Sequence, residues 1–382
     1  MKMQKFDKKL WKKKFNQLKK NKKFQLLQLV FVIYLFLFAI YLMKSFAEEL
    51  GRREVHDIIL SVSHPLSGFA IGWLSAELVQ SASVIAIMTV LFVGADLIRI
   101  NQAFFIMLGT VFGNSFTPLL AAVLSPKGKY ERLYYGFELA LANIIYNFYL
   151  ILIVLALELT THFYTVSGEH LLSWFKGLPV FAITPDFIDY MLMPLKWLLM
   201  IDYWPLPLVF IFALLFFLFS LHQFGSLMAN YFGGVKRAQK KIEDNLNSDL
   251  KIVIFGLLCS LIIPSASLLV TMLVPLAVKK IISLRQAIPF IIAVNICTYI
   301  DVLIAGIASS APGALASSTM LMLISLTGLL FLIQGIGIRA VQGTVTFLTR
   351  EHLGIRQRFQ ILVFAIGYIL IPIILFFLDF IF

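Results

Sequence analysis

The sequence has little charge. Only 14% of its 382 residues are Asp, Glu, Lys or Arg, 60% are hydrophobic, and the mean hydropathy is +0.90. Soluble domains carry about 25% charged and about 45–50% apolar residues. A water-soluble enzyme is therefore excluded, and so is a disordered chain, which needs high charge and low hydrophobicity. Cysteine is scarce as well. Cys259 and Cys297 both sit inside apolar segments, so neither a disulfide framework nor a zinc site is indicated. The six histidines show no metal-ligand spacing. No His/Asp or Ser/His set has catalytic spacing, so the chain reads as a non-enzyme without a cofactor. Strand-type alternation is missing too, which excludes a β-barrel. What remains is an all-α polytopic membrane protein, because several stretches exceed the roughly 20 apolar residues needed to cross a bilayer.

The net charge of +12 is concentrated at one end. Residues 1–23 hold eleven lysines and one acid, Asp7, and account for +10 of it. A lysine-rich tail directly before an apolar run is a cytoplasmic retention signal that also touches anionic lipid, and it does not indicate nucleic-acid binding. The run 26–46 exceeds the ~7–15 residues of a secretory signal, so it reads as an uncleaved first span. The expected organisation is a basic cytoplasmic tail (1–25), a first transmembrane repeat region (26–165), an extracytoplasmic loop with interfacial segments (166–205) and a second transmembrane repeat region (206–382). The expected location is the plasma membrane, multi-pass, with the N-terminus cytoplasmic.

Two apolar segments, 66–98 and 252–278, are long and interrupted by Ser, Gly or Pro. Charge parity tests whether they cross. Lys127, Lys129 and Arg132 lie in the loop after the next apolar stretch, 103–124, Lys236, Arg237, Lys240 and Lys241 precede the other segment, and Lys279, Lys280 and Arg285 follow it. The stretch 164–205 is acidic instead, with Glu169, Asp186, Asp189 and Asp202. The positive-inside rule accommodates all of these loops if both segments turn back to the side they entered from. They read as re-entrant or broken helices that enter from opposite sides. A gap-free shift of 184 residues also lays 72–123 on 256–307 with twelve identities, among them Ser81/Ser265, Ala82/Ala266, Ser83/Ser267, Gln102/Gln286 and Ala103/Ala287. Inverted repeats with discontinuous helices are the signature of secondary transporters.

Each copy carries two polar clusters. The first has Gln80-Ser81-Ala82-Ser83 and then Gly109 to Ser115; the second has Pro264-Ser265-Ala266-Ser267 and then Ala293 to Tyr299. A helix N-terminus facing a cavity offers free N–H groups to an anion, and serine hydroxyls add donors. Amide, hydroxyl and unwound carbonyl oxygens suit sodium. Two ionisable groups, Glu77 and Asp301, lie inside apolar segments, where such groups default to a functional role. For Asp301 that role is sodium or proton coupling; Glu77 reads equally as a cap or an ion-pair partner. Asp96 and Arg99 read as a surface ion pair, and Arg339 as a snorkelling cation. Glu138, Asn143, Asn147 and Glu158 form either a bundle seam or a pathway wall.

The clusters resemble the type II sodium-phosphate cotransporter family, which carries a QSSS motif and a GANIGTT-like motif in each of two inverted repeats. Here the motifs read QSAS with GTVFGNS, and PSAS with AVNICTY. The resemblance covers about 56–165 and 250–308. It implies sodium-coupled symport of inorganic phosphate by alternating access. Ser81, Ser83, Ser265, Ser267, Asn295 and Thr298 would hold phosphate. Gln80, Asn114, Ser115 and Thr271, with Asp301, would serve the coupling ion. The chain departs from the pattern at Val111 and Pro264. Transport of another small anion, or a non-transporting membrane subunit of the same fold, are the alternatives those departures leave.

Overall fold

In lipid every backbone group must be satisfied within the chain, which leaves helices for a sequence of this hydropathy. The computed structural model describes residues 22–52, 64–124, 130–177, 190–198, 203–231, 248–263, 265–278, 281–351 and 358–378. Residues 1–21 of the basic tail, Lys127, Lys129, the loop lysines between 233 and 247, Pro264, Lys279 and Lys280 lie outside the described residues, as do Asp186, Asp189 and Asp202. Every regular element among the described residues is helical. Six helical stretches are long and apolar enough to span a membrane: Phe24–Glu49, Ile100–Leu124, Tyr134–Thr161, Leu284–Ala308, Pro312–Thr349 and Phe359–Phe377. The protein is an all-α, multi-pass membrane protein.

The first half comprises α1 (Lys22–Arg52), α2 (Pro65–Val79), α3 (Ala82–Gly94), α4 (Ile100–Gly113), α5 (Phe116–Leu124), α6 (Tyr130–Thr161) and α7 (Phe163–Lys176). The second comprises α8 (Leu206–Tyr231), α9 (Asp249–Ile262), α10 (Ala266–Val278), α11 (Leu284–Cys297), α12 (Ile300–Ala308), α13 (Pro312–Leu326), α14 (Ile336–Thr346) and α15 (Arg358–Leu378). A shift of 184 residues carries α3, α4 and α5 onto α10, α11 and α12 end for end, and it matches the starts of α1 and α2 to those of α8 and α9. The contacts are exchanged in the same way. Helix α3 packs on α12 and α13, while its counterpart α10 packs on α5 and α6. Likewise α4 meets α13 as α11 meets α6, and α1 packs on α8.

Both long interrupted segments are broken helices. The first breaks where Gln80 adopts a left-handed conformation (φ 54, ψ 29) and Ser81 is extended (φ −149, ψ 107). A non-glycine residue there costs roughly 1–2 kcal/mol, so the surrounding packing must enforce the break. The second breaks after Ile263 (φ −124, ψ 89). The Gln-Ala identities turn out to be helix starts. Gln102 Oε1 accepts from the Arg99 N–H at 2.8 Å, and Gln286 Oε1 accepts from the Ser283 N–H at 3.0 Å. Each glutamine closes a capping box at the head of α4 or α11.

Helix α2 is held against α4 by close backbone approach. A Cβ on Gly72 would run into the Ile106 carbonyl, one on Gly109 into the Phe69 carbonyl, and one on Gly113 into the Trp73 carbonyl. Small residues four apart on both helices supply packing that hydrophobic expulsion cannot supply in lipid. In the second copy Gly256 seats against Ala293 and Phe290 at the matching crossing of α9 and α11.

Two sequence readings are corrected. No ion pair joins Asp96 to Arg99: Asp96 occupies a turn at φ 57 and Arg99 caps α4. The apolar stretch 317–338 is not one continuous helix. After α13 the chain runs through a 3-10 segment, Thr327–Gly335, and breaks at Gln334 (φ 50) and Gly335 (φ 65). The Arg339 guanidinium donates to the Gln334 carbonyl at 3.2 Å, so it covers a backbone group freed by that break.

Candidate functional site

The site begins with two helix N-termini, because a break leaves the next helix with unpaired N–H groups. Ser81 sits at the N-cap of α3 without a side-chain capping bond. At the head of α10, the Ser265 hydroxyl accepts from the Leu268 N–H at 3.3 Å and lies 3.3 Å from the Ser267 hydroxyl. Thr298, at the end of α11, accepts from the Ala266 N–H at 2.8 Å. Its oxygen is thus held by the α10 N-terminus while its hydrogen remains to donate. Ser81 and Ser265 are half-buried, whereas Ser83 and Ser267 are buried inside. The two serine pairs thus share a burial pattern but differ in their capping contacts.

Asp301 sits in the first turn of α12, 2% exposed. Its Oδ1 accepts from the Val302 N–H at 2.9 Å, and its buried Oδ2 has no hydrogen-bond partner. The Ser83 hydroxyl of α3 lies beside this carboxylate, so a serine of the first copy meets an acid of the second. Tyr299 adjoins Asp301 and Tyr146, and both phenol oxygens are buried without partners. The residue 184 positions before Asp301 is Thr117, so the charge exists in one copy alone.

A second polar group runs through the centre. Asn295 donates to the Asn143 side-chain oxygen at 2.9 Å and to the Ile291 carbonyl at 2.8 Å. Asn143 and Asn147 both donate to the Ser115 hydroxyl, at 3.1 and 2.7 Å. Helix α6 is thereby tied to the second motif of each copy. The Ser115 oxygen already takes two amide hydrogens, which leaves it little capacity for a cation. Tyr368 of α15 lies beside Ser115 and donates to the Phe112 carbonyl at 2.6 Å. Asn114 is buried at the C-cap of α4, and the Thr271 hydroxyl is buried without a partner. Gln80 is exposed at its break and has no hydrogen bond to the rest of the site among the described residues.

Glu138 and Glu158, also on α6, do other things. Glu158 accepts from the Tyr164 N–H at 2.9 Å and the Thr165 N–H at 3.3 Å, so it caps the head of α7 just past the left-handed His162. Glu138 lines a cavity of about 260 Å³ with Tyr135, Ser283 and Gln286. Sequence reasoning missed Tyr146 and Tyr368 as members of the polar centre. Neither belongs to a motif, and only burial and proximity identify them. Tyr299 stood inside a recognised motif but had no role assigned.

Comparison with known proteins matches the chain to one family. The family described as Na+/Pi-cotransporter matches residues 35–175 and 216–370. The chain is 24% identical over 158 residues to a Pongo abelii protein named sodium-dependent phosphate transport protein 2B, covering 40% of this chain and 22% of that protein. It is 25% identical over 150 residues to the Homo sapiens protein of the same name, covering 38% of this chain and 21% of that one. The match thus spans about a fifth of each relative's length. No solved structure matches the chain.

Proposed function

Because the chain belongs to the Na+/Pi-cotransporter family, we propose that it carries inorganic phosphate across the plasma membrane coupled to sodium. The observation that carries this reading is the meeting of Ser83 and Asp301 between α3 and α12. The serine sits in the first turn of a broken helix, where an anion is favoured. The carboxylate beside it opposes an anion. Two unit charges ~6 Å apart at an effective dielectric of ~20 repel by about 3 kcal/mol. A sodium ion on the free Asp301 oxygen removes that repulsion, so phosphate binds well only after sodium. Coupling of this size corresponds to roughly a hundredfold in phosphate affinity.

In this reading Ser81, Ser265, Ser267 and Thr298 donate to phosphate from the two helix heads. Ser83 stands between phosphate and cation, and Asp301 with Thr271 serves the cation. Asn295 and Ser115 act through the seam that locks α6 to both copies. The two halves lie inverted in the membrane, and alternating access moves the α3 and α10 heads between the two faces. The exchanged helix contacts and the charge of the loops support that arrangement. The N-terminus lies in the cytoplasm, its lysines against anionic lipid.

One observation favours a second reading, transport of a different small oxyanion. Val111 leaves the first copy without the amide that Asn295 supplies in the second.

The test is radiolabelled phosphate uptake into proteoliposomes holding the purified chain, with and without an inward sodium gradient. Sodium-dependent accumulation is expected. Accumulation of another oxyanion in place of phosphate moves the conclusion to the second reading, and uptake independent of sodium overturns the coupling.

A further inference from the structure

Asp301 is not the only acid buried without a counter-ion. Glu77 lies in the last turn of α2, 4% exposed. Its Oε1 accepts from the Trp73 indole N–H at 2.7 Å, and its Oε2 is buried without a partner. No basic side chain among the described residues pairs with it. The neighbouring ionisable group is the neutral phenol of Tyr368, on α15. The facing part of α4 presents Phe112 and Gly113, the latter packed on the Trp73 carbonyl and the Ala76 side chain.

The location makes the charge harder to explain as packing. The last four carbonyls of a helix have no intrahelical partner, and that end carries partial negative charge. An acid is disfavoured there, and α2 has no basic residue in its last turn to offset it. The fold of the broken helix does not require the acid. At the matching place in α9 stands Leu261, 48% exposed. The first copy therefore holds a buried carboxylate beside freed carbonyl oxygens, one turn before the left-handed Gln80. Oxygens of this kind, at a helix C-terminus next to an unwound residue, coordinate monovalent cations.

We propose that Glu77, with the last-turn carbonyls of α2 and the side-chain oxygen of Gln80, forms a monovalent-cation site separate from the one at Asp301. The choice of sodium as its ion rests on the transport reading; the existence of the site does not. Tyr368 lies beside both Glu77 and Ser115, which connects the site to the Asn143–Asn147–Asn295 seam. Occupancy at the end of α2 is thereby sensed by the helix that ties the two copies together.

Trp73 supplies a local reporter. In a full-length chain with Trp11, Trp174, Trp197 and Trp204 changed to Phe, Trp73 emission is titrated with sodium chloride against choline chloride at constant ionic strength, without phosphate. A saturable change is expected. Glu77→Gln and Glu77→Leu should each weaken it about tenfold or more, or abolish it, while Asp301→Asn should retain it. The leucine variant places the second copy's residue in the first, and gel filtration verifies folding of both. A wild-type response that is absent, or that survives both variants, overturns the proposal. A retained Trp73 response alongside absent phosphate uptake would leave the site standing and remove the transport reading instead.

Discussion

At the scale of single residues, the site separates groups that a motif runs together. Ser81 and Ser83 differ by one intervening alanine, yet one is half-buried at a helix cap and the other lies beside Asp301. The prediction at Asp301 follows from its unpartnered oxygen. Asp301→Asn keeps the shape and the Val302 N–H contact but removes the charge that draws a cation. Phosphate uptake measured against sodium concentration should become less steep and less sodium-dependent; an unchanged sodium curve would show that Asp301 holds no coupling ion. Thr298 gives a second test. Thr298→Val leaves the Ala266 N–H without its acceptor, at a cost of about 1–3 kcal/mol, whereas Thr298→Ser restores it. The valine variant should melt lower and bind phosphate more weakly, and the serine variant should recover both.

The elements explain why two apolar stretches break where they do. Helix α2 stops at Val79 because Gln80 is left-handed, and α2 is clamped to α4 through Gly72, Gly109 and Gly113. Gly109→Leu forces the two backbones apart at a point where the Phe69 carbonyl already fills the space. It should lower the thermal midpoint steeply or prevent assembly. Gly343→Ala on α14 meets nothing within 4 Å. It should be neutral or stabilising by roughly 0.5–1 kcal/mol, since alanine restricts the unfolded chain and suits a helix. Thermal unfolding of the two variants side by side tests whether the α2–α4 crossing, and not glycine content in general, holds the first copy together. The exposed Arg285–Asp249 pair, bonded at 2.7 and 3.1 Å between the heads of α11 and α9, contributes at most ~1 kcal/mol.

At the scale of the whole molecule, the two copies exchange partners, and their charges differ. Glu77 and Asp301 are each replaced at the equivalent position of the other copy by an apolar or hydroxyl residue, Leu261 and Thr117. If the halves are inverted in the membrane, single cysteines at Lys127 and Lys236 should react with an impermeant maleimide from one face, and a cysteine at Glu169 from the other. Cys259 and Cys297 are replaced by alanine beforehand. Labelling of all three from one side would remove the inverted arrangement.

Much of this was legible in the chain itself. The membrane class follows from composition, because 60% hydrophobic residues leave water no part in the interior. The repeat and the places of both breaks follow from Ser-Ala-Ser recurring at one offset, since a short polar run amid apolar residues has few uses in lipid. The Gln-Ala recurrence was visible too, but only backbone geometry revealed it as a pair of helix caps. The break at Gln334 and Gly335 was not read from the sequence, because the apolar run continues across Gly335 and Gly337 and masks them. Which serine meets which acid depended on tertiary structure. Ser83 and Asp301 are 218 positions apart, and the exchange of helices between copies alone brings them together. Burial also decided the status of Glu77. Sequence marks an acid in an apolar run, but whether a counter-charge folds against it is settled by packing, and here none among the described residues does.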